Sequence, residues 1–208
     1  MQSEKETRDE GLTGVLKRGD LLVVVVGAAL LLTGWVVRSK QMDQNASYVG
    51  HGVAFEHPKS WGVVEGPAAG TLPPASAELF DLMATATFKP KIEVLDERLP
   101  ASVKTGAQLG DYVLLNLQSE LTLFHLKRQT VLKVGGKEAC RVDYAYAVNP
   151  TVAGQPGDTD VPVIVHASKV AIIDGARLHW VTVLTPGSAQ RRDPKFADRV
   201  MQTLRTSK

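Results

Sequence analysis

Seventeen consecutive residues without a charge, Leu21 to Val37 (LLVVVVGAALLLTGWVV), constrain this chain more than any other feature. As an α-helix the run is about 25 Å long, slightly short of a bilayer's hydrocarbon core of about 30 Å. Its flanks close that gap. Lys17 and Arg18 precede it, Arg38 and Lys40 follow it, and long basic side chains reach back to the headgroups. Trp35 stands near one end, where an indole favours the interface. The run therefore predicts a single transmembrane helix over 21–37. A cleaved signal peptide fits less well, because the apolar stretch is long and Asn45-Ala46-Ser47 is a poor cleavage site. A buried core helix is seldom apolar on every face. Gly27 and Gly34 lie seven residues apart, on nearly one helix face, and form a candidate packing groove for a second helix.

Charge orients the helix. Lys5, Arg8, Lys17 and Arg18 lie before it, and only Arg38 and Lys40 lie in the twenty residues after it. The positive-inside bias places residues 1–20 in the cytoplasm and the remainder in the periplasm or an equivalent exported compartment, with the anchor in the inner membrane. Residues 38–50 read as a polar linker, and 51–208 as one domain with a single core, of about 160 residues. A net charge of +2 gives no dense basic face for nucleic acid. The lone Cys140 permits no internal disulfide, and no cysteine stands just after the apolar run to carry a lipid.

Within the domain, Val53–His57 reads as a short strand stopped by Pro58, 66–77 as a Pro/Gly-rich loop, and 82–95 as extended chain broken at Pro90. Residues 102–121 form the best helix, with Leu109, Val113 and Leu117 in one stripe and Ser102 or Thr105 as cap. Two hairpins follow. The first joins 123–134 to 137–148 at Gly135-Gly136, and the second joins 163–173 to 176–184 at Asp174-Gly175; both dipeptides suit type I′ turns. Residues 149–161 are another loop. Asp193–Leu204 ends the chain as a helix, with Pro194 in its first turn. The order predicts an α+β domain on a largely antiparallel sheet.

Several short motifs run through these elements: Phe55-x-x-Pro58-x-x-Trp61, Val134-x-Gly136-x-x-Ala139 leading to Tyr144-x-Tyr146, Asp174-Gly175 before Leu178-x-Trp180, and Phe196 in the last helix. In order and spacing they resemble the PsbP-like family, named for an extrinsic lumenal subunit of photosystem II. The resemblance implies an α/β/α sandwich with helices on both faces of a central antiparallel sheet. It also implies a mostly non-catalytic role, as an accessory or stabilising subunit. No photosystem-binding residue of that family maps onto this chain.

Catalytic signatures are wanting in the sequence. None of His51, His57, His125, His166 and His179 has metal-ligand spacing. A turn at Asp174-Gly175 would set Val183 opposite His166, leaving His179 about 14 Å along the strand. There is no G-x-S-x-G elbow, and Cys140 shares a strand face with Val142 and Tyr144, as a buried thiol does. Gly135-Gly136-Lys137 lacks the rest of a phosphate loop. No cofactor or metal site is expected. The expected function is a non-catalytic, single-pass accessory subunit of a larger membrane complex, bioenergetic or photosynthetic, with the bilayer and other subunits as partners. The alternative is a stand-alone periplasmic module that holds a small ligand or metal in a concave pocket.

Overall fold

The computed structural model describes residues 23–34, 44–66, 75–85, 88–148 and 162–207. The chain divides at Asp43 into two units. In the first, residues 23–34 form helix α1, inside the apolar run; the ends of the expected span (Leu21, Trp35 and Val37) and its basic flanks (Lys17, Arg18, Arg38 and Lys40) lie outside the described residues. Among the described residues no helix is long and apolar enough to cross a membrane, since α1 covers about 18 Å of the run. Its valines and leucines are exposed all round, and a β-carbon on Gly27 or Gly34 would meet nothing within 4 Å.

The second unit, Gln44–Lys208, is built on a seven-stranded sheet in which every pairing is antiparallel. β1 (Asn45–Gly50) and β2 (Val53–Pro58) form a hairpin. β3 (Trp61–Glu65), β4 (Ala77–Asp81) and β5 (Lys91–Arg98) then enter the large sheet. Helix α2 (Gly106–Glu120) carries the chain over one face to the far edge. β6 (His125–Val134), β7 (Lys137–Val148), β8 (Val163–Asp174) and β9 (Arg177–Pro186) return as a meander, so that β9 pairs with β5. Two helices, α3 (Gly187–Arg192) and α4 (Phe196–Thr203), precede β10 (Arg205–Thr206), which pairs with β2.

Period-2 alternation on these strands produces two cores. On one face Ile92, Val94, Val170, Ile172, Val181 and Val183 pack under α4 and the β1–β2 hairpin, against Phe55, Phe196 and Val200. On the other, Cys140, Val142, Val165, Ala171, Leu178 and Trp180 pack under α2 through Leu109, Val113 and Leu117. Burying each of those three helix residues contributes about 1.5–3 kcal/mol. Gly110 lets α2 approach closely, since a β-carbon there would fall 3.0 Å from Cys140 Sγ. Thr105 caps the helix: its Oγ1 accepts from Gln108 N at 3.3 Å, and Gln108 Oε1 accepts from Lys104 N at 2.9 Å.

The structure departs from the sequence reading in five places. Residues 45–50 are strand β1 rather than linker, and only Tyr48 of the six is buried. β3 and β4 form at 61–65 and 77–81, where no strand was expected and only Ala77 falls in the expected loop, while 82–83, at the start of the expected extended segment, make a turn. The second hairpin turns at Gly175-Ala176, with Asp174 opposite Arg177, and Gly175 alone carries positive φ (60°), as in a type II′ turn. The terminal helix starts at Phe196, because Asp193 closes α3 instead of capping α4. One outer layer is thus not purely helical: α4 shares its face with the small sheet β1-β2-β10. The expected loop 149–161 lies outside the described residues.

A candidate ligand cleft beside helix α2

Helix α2 covers only part of its sheet face. At its last turn, β5, β9, β8 and β7 carry a transverse row of opposed residues, Glu93, Thr182, Lys169 and Val142, of which Val142 is buried under the helix and the other three line the cleft. The next row is Lys91, Leu184, Ala167 and Tyr144. Leu117, Glu120 and Leu121 of the helix end, with Tyr146 and Val148, wall a cleft of about 290 Å³ over these rows.

The floor of the cleft is polar at a few fixed points. Lys91 Nζ lies 2.7 Å from Glu93 Oε1 and 3.4 Å from Glu78 Oε1. Burial pushes the Lys91 pKa down, but those carboxylates outweigh it and hold it above the ordinary lysine value. Lys169 is partly buried, and its Nζ sits 4.4 Å from the centroid of the Trp180 ring. Burial lowers its pKa, against the more distant pull of Glu93, Glu120 and Glu97. Trp180 is itself held, because its Nε1 donates to Glu97 Oε1 at 2.8 Å and Tyr112 packs against its ring. Burial also raises the pKa of both Tyr144 and Tyr146, so both phenols stay protonated at neutral pH.

The residues singled out in the sequence fall elsewhere or serve packing. Phe55 and Ala139 are buried in the α4-side core, and Trp61 and Phe196 stack with ring centroids 5.1 Å apart. Pro58 ends β2, and Gly136 (φ 82°) completes a I′ turn with Gly135 (φ 58°). Tyr144 and Trp180 reach the cleft; Asp174 and Gly175 do not, and Asp174 pairs with Lys137. The histidines are scattered. His51 Nε2 meets Glu65 Oε2 at 3.0 Å, and buried His57 has Nδ1 3.0 Å from the Pro58 carbonyl oxygen. His166 contacts Lys127, and His125 is exposed. His179 is buried between Asp96 (3.3 Å) and Asp174 (3.8 Å). The true register sets His166 opposite Thr185 and His179 opposite Ile172, farther apart than the sequence reading placed them. Among the described residues no three His, Cys, Asp or Glu side chains are grouped to hold a metal ion. Burial raises the pKa of the Cys140 thiol.

No family model matches the sequence, and no curated protein matches it. Solved structures do. Cyanobacterial PsbP (CyanoP) from Synechocystis superposes with a TM-score of 0.55 at 14% identity, covering 79% of this chain and 92% of that one. The fold is PsbP-like. LpqN of Mycobacterium tuberculosis, described as involved in cell envelope biogenesis, gives a TM-score of 0.56 at 11% identity, over 79% of this chain and 91% of its own. At such identities the likeness is one of fold alone. The PsbP-like domain here has a seven-stranded sheet and places its cleft at the open end of α2.

Proposed function

We propose that this chain is a non-catalytic accessory or stabilising protein of the cell envelope, tethered by one membrane helix over 21–37 and docked on a larger membrane complex. The observation that carries the reading is α1: Val23, Val24, Val25, Val26, Leu30, Leu31 and Leu32 are all exposed, around the whole circumference of the helix. A helix apolar all round needs lipid or other protein around it. The charge bias puts the tail 1–20 in the cytoplasm and the PsbP-like domain on the periplasmic side of the inner membrane. A fold shared with CyanoP and with an envelope-biogenesis protein supports an accessory role, and a bioenergetic or photosynthetic host is the natural setting by resemblance. The test is a pull-down through a C-terminal tag after gentle solubilisation. A large membrane complex recovered in fixed stoichiometry supports the reading; a lone monomer in every mild detergent contradicts it.

The cleft favours a second reading, in which the domain holds a small ligand. Its partly buried lysine, its aromatic platform and its apolar walls are the features such a module requires.

A further inference from the structure

Among the described residues, the ammonium of Lys169 lies in the cleft floor without a close ion-pair partner. Lys91 and Glu93 satisfy each other. Among the described residues no carboxylate comes within ion-pair distance of Lys169 Nζ, which rests on the Trp180 ring instead. A ring face stabilises a cation without saturating it, since the ammonium has three donors and the ring supplies no acceptor atom. The platform is pre-set, because Trp180 donates to Glu97 and packs against Tyr112. A group that brings one anionic oxygen to Nζ would therefore form a charge-assisted hydrogen bond in a partly desolvated place, without reorganising the site.

The surroundings narrow the class of ligand. Glu93 and Glu120 border the cleft, and the carbonyl end of α2 points its negative pole there. Each further negative charge on a ligand would face them, which disfavours phosphates and dicarboxylates. Leu117, Leu121, Tyr146 and Val148 offer an apolar wall. A cleft of about 290 Å³ lies at the small end of ligand sites. We propose that the cleft binds a small amphiphilic monocarboxylate, its carboxylate on Lys169 and its hydrocarbon part against the wall at the end of α2. The proposal rests on the ligand-binding reading and gives it a chemical class. The acid is either soluble or drawn from the bilayer; the two sources share this chemistry.

The experiment is a titration of the full chain in nanodiscs with 3-phenylpropionate, with 3-phenylpropanol and 3-phenylpropylamine as neutral and cationic counterparts, followed by Trp180 fluorescence in a Trp35→Phe, Trp61→Phe background and by NMR. Saturable binding of the acid alone is expected. Lys169→Met should weaken it at least about tenfold, the equivalent of one charge-assisted hydrogen bond, and Lys169→Arg should retain most of it. Inorganic phosphate should not compete. Equal binding of acid and alcohol, or binding of the amine instead, would overturn the carboxylate assignment while leaving a ligand-binding cleft. Failure of all three probes to bind would overturn both. These comparisons on the unaltered cleft stand even if the Met variant does not fold. Repeating the titration with octanoate, in lipid-free detergent and then in nanodiscs, separates the sources. Tighter apparent binding in nanodiscs marks a bilayer-derived acid, and equal binding a soluble one.

Discussion

The imidazole of His179 lies directly against the backbone of Gly52, so that a β-carbon on the glycine would come within 2.6 Å of both ring nitrogens. Gly52 holds φ at 78° in the β1–β2 turn, and His179 is buried beneath it on β9. This contact seats the small sheet on the large one. Gly52→Ala should cost about 2–4 kcal/mol, combining a left-handed backbone penalty with a clash. Gly136→Ala is the control, since its φ is 82° but no atom lies within 4 Å of a β-carbon there. It should cost only about 1–2 kcal/mol. Denaturant unfolding of the two variants measures the difference.

Arg141 ties the sheet to α4. Its Nη2 donates to Asp198 Oδ1 at 2.6 Å and its Nε to Asp143 Oδ1 at 2.8 Å. Burial alone would raise the pKa of Asp143, but hydrogen bonds from Ser168, Arg141 and Arg128 outweigh it and hold the carboxyl below the ordinary value. A depressed folded pKa stabilises the protein above the unfolded value of about 3.9, and that stabilisation is lost as pH falls through the folded pKa. Stability should therefore drop below about pH 4. Arg141→Met should cost about 2 kcal/mol at neutral pH and flatten that acid limb. Melting curves across pH check both.

Cys140 lies under α2, its thiol pKa raised by burial, and it is the only thiol in the chain. In the native protein it should react with a thiol reagent only as fast as the domain opens, and at once in denaturant. Rapid labelling of the native chain would contradict the packing of α2.

Thr105→Ala removes the side-chain acceptor at the start of α2 and should cost about 1 kcal/mol. Thr105→Ser should cost little, because its hydroxyl reaches the same amide. Thermal unfolding of the two variants distinguishes a cap from a merely exposed threonine.

Helix α2 and the β6–β7 hairpin were legible in the sequence because their signals are local: an apolar stripe at helical spacing, and a Gly-Gly turn between alternating strands. β1 was not, since its six residues bury one side chain and it is a strand through pairing with β2. The second hairpin slipped because Asp174-Gly175 matches a common turn dipeptide, while the chain bends one residue later. The opposed pairs moved by two, so each residue kept its face. The cleft was missed altogether. Its signal was present in β8, where Lys169 interrupts the inward-facing series Val165, Ala167 and Ala171. What the sequence could not reveal is that α2 stops short of that lysine, because the end of the helix is placed over the sheet by tertiary packing.

The proposed accessory role depends on the tether, and that is the measurement to make most directly. Membranes carrying the full chain with a C-terminal tag are washed in alkaline carbonate, and intact spheroplasts are treated with protease. The account expects the chain in the washed membrane pellet, and the domain cut from outside while the N-terminal tail stays protected. Release of the chain into the carbonate supernatant, or a domain reached by protease only after lysis, would contradict it.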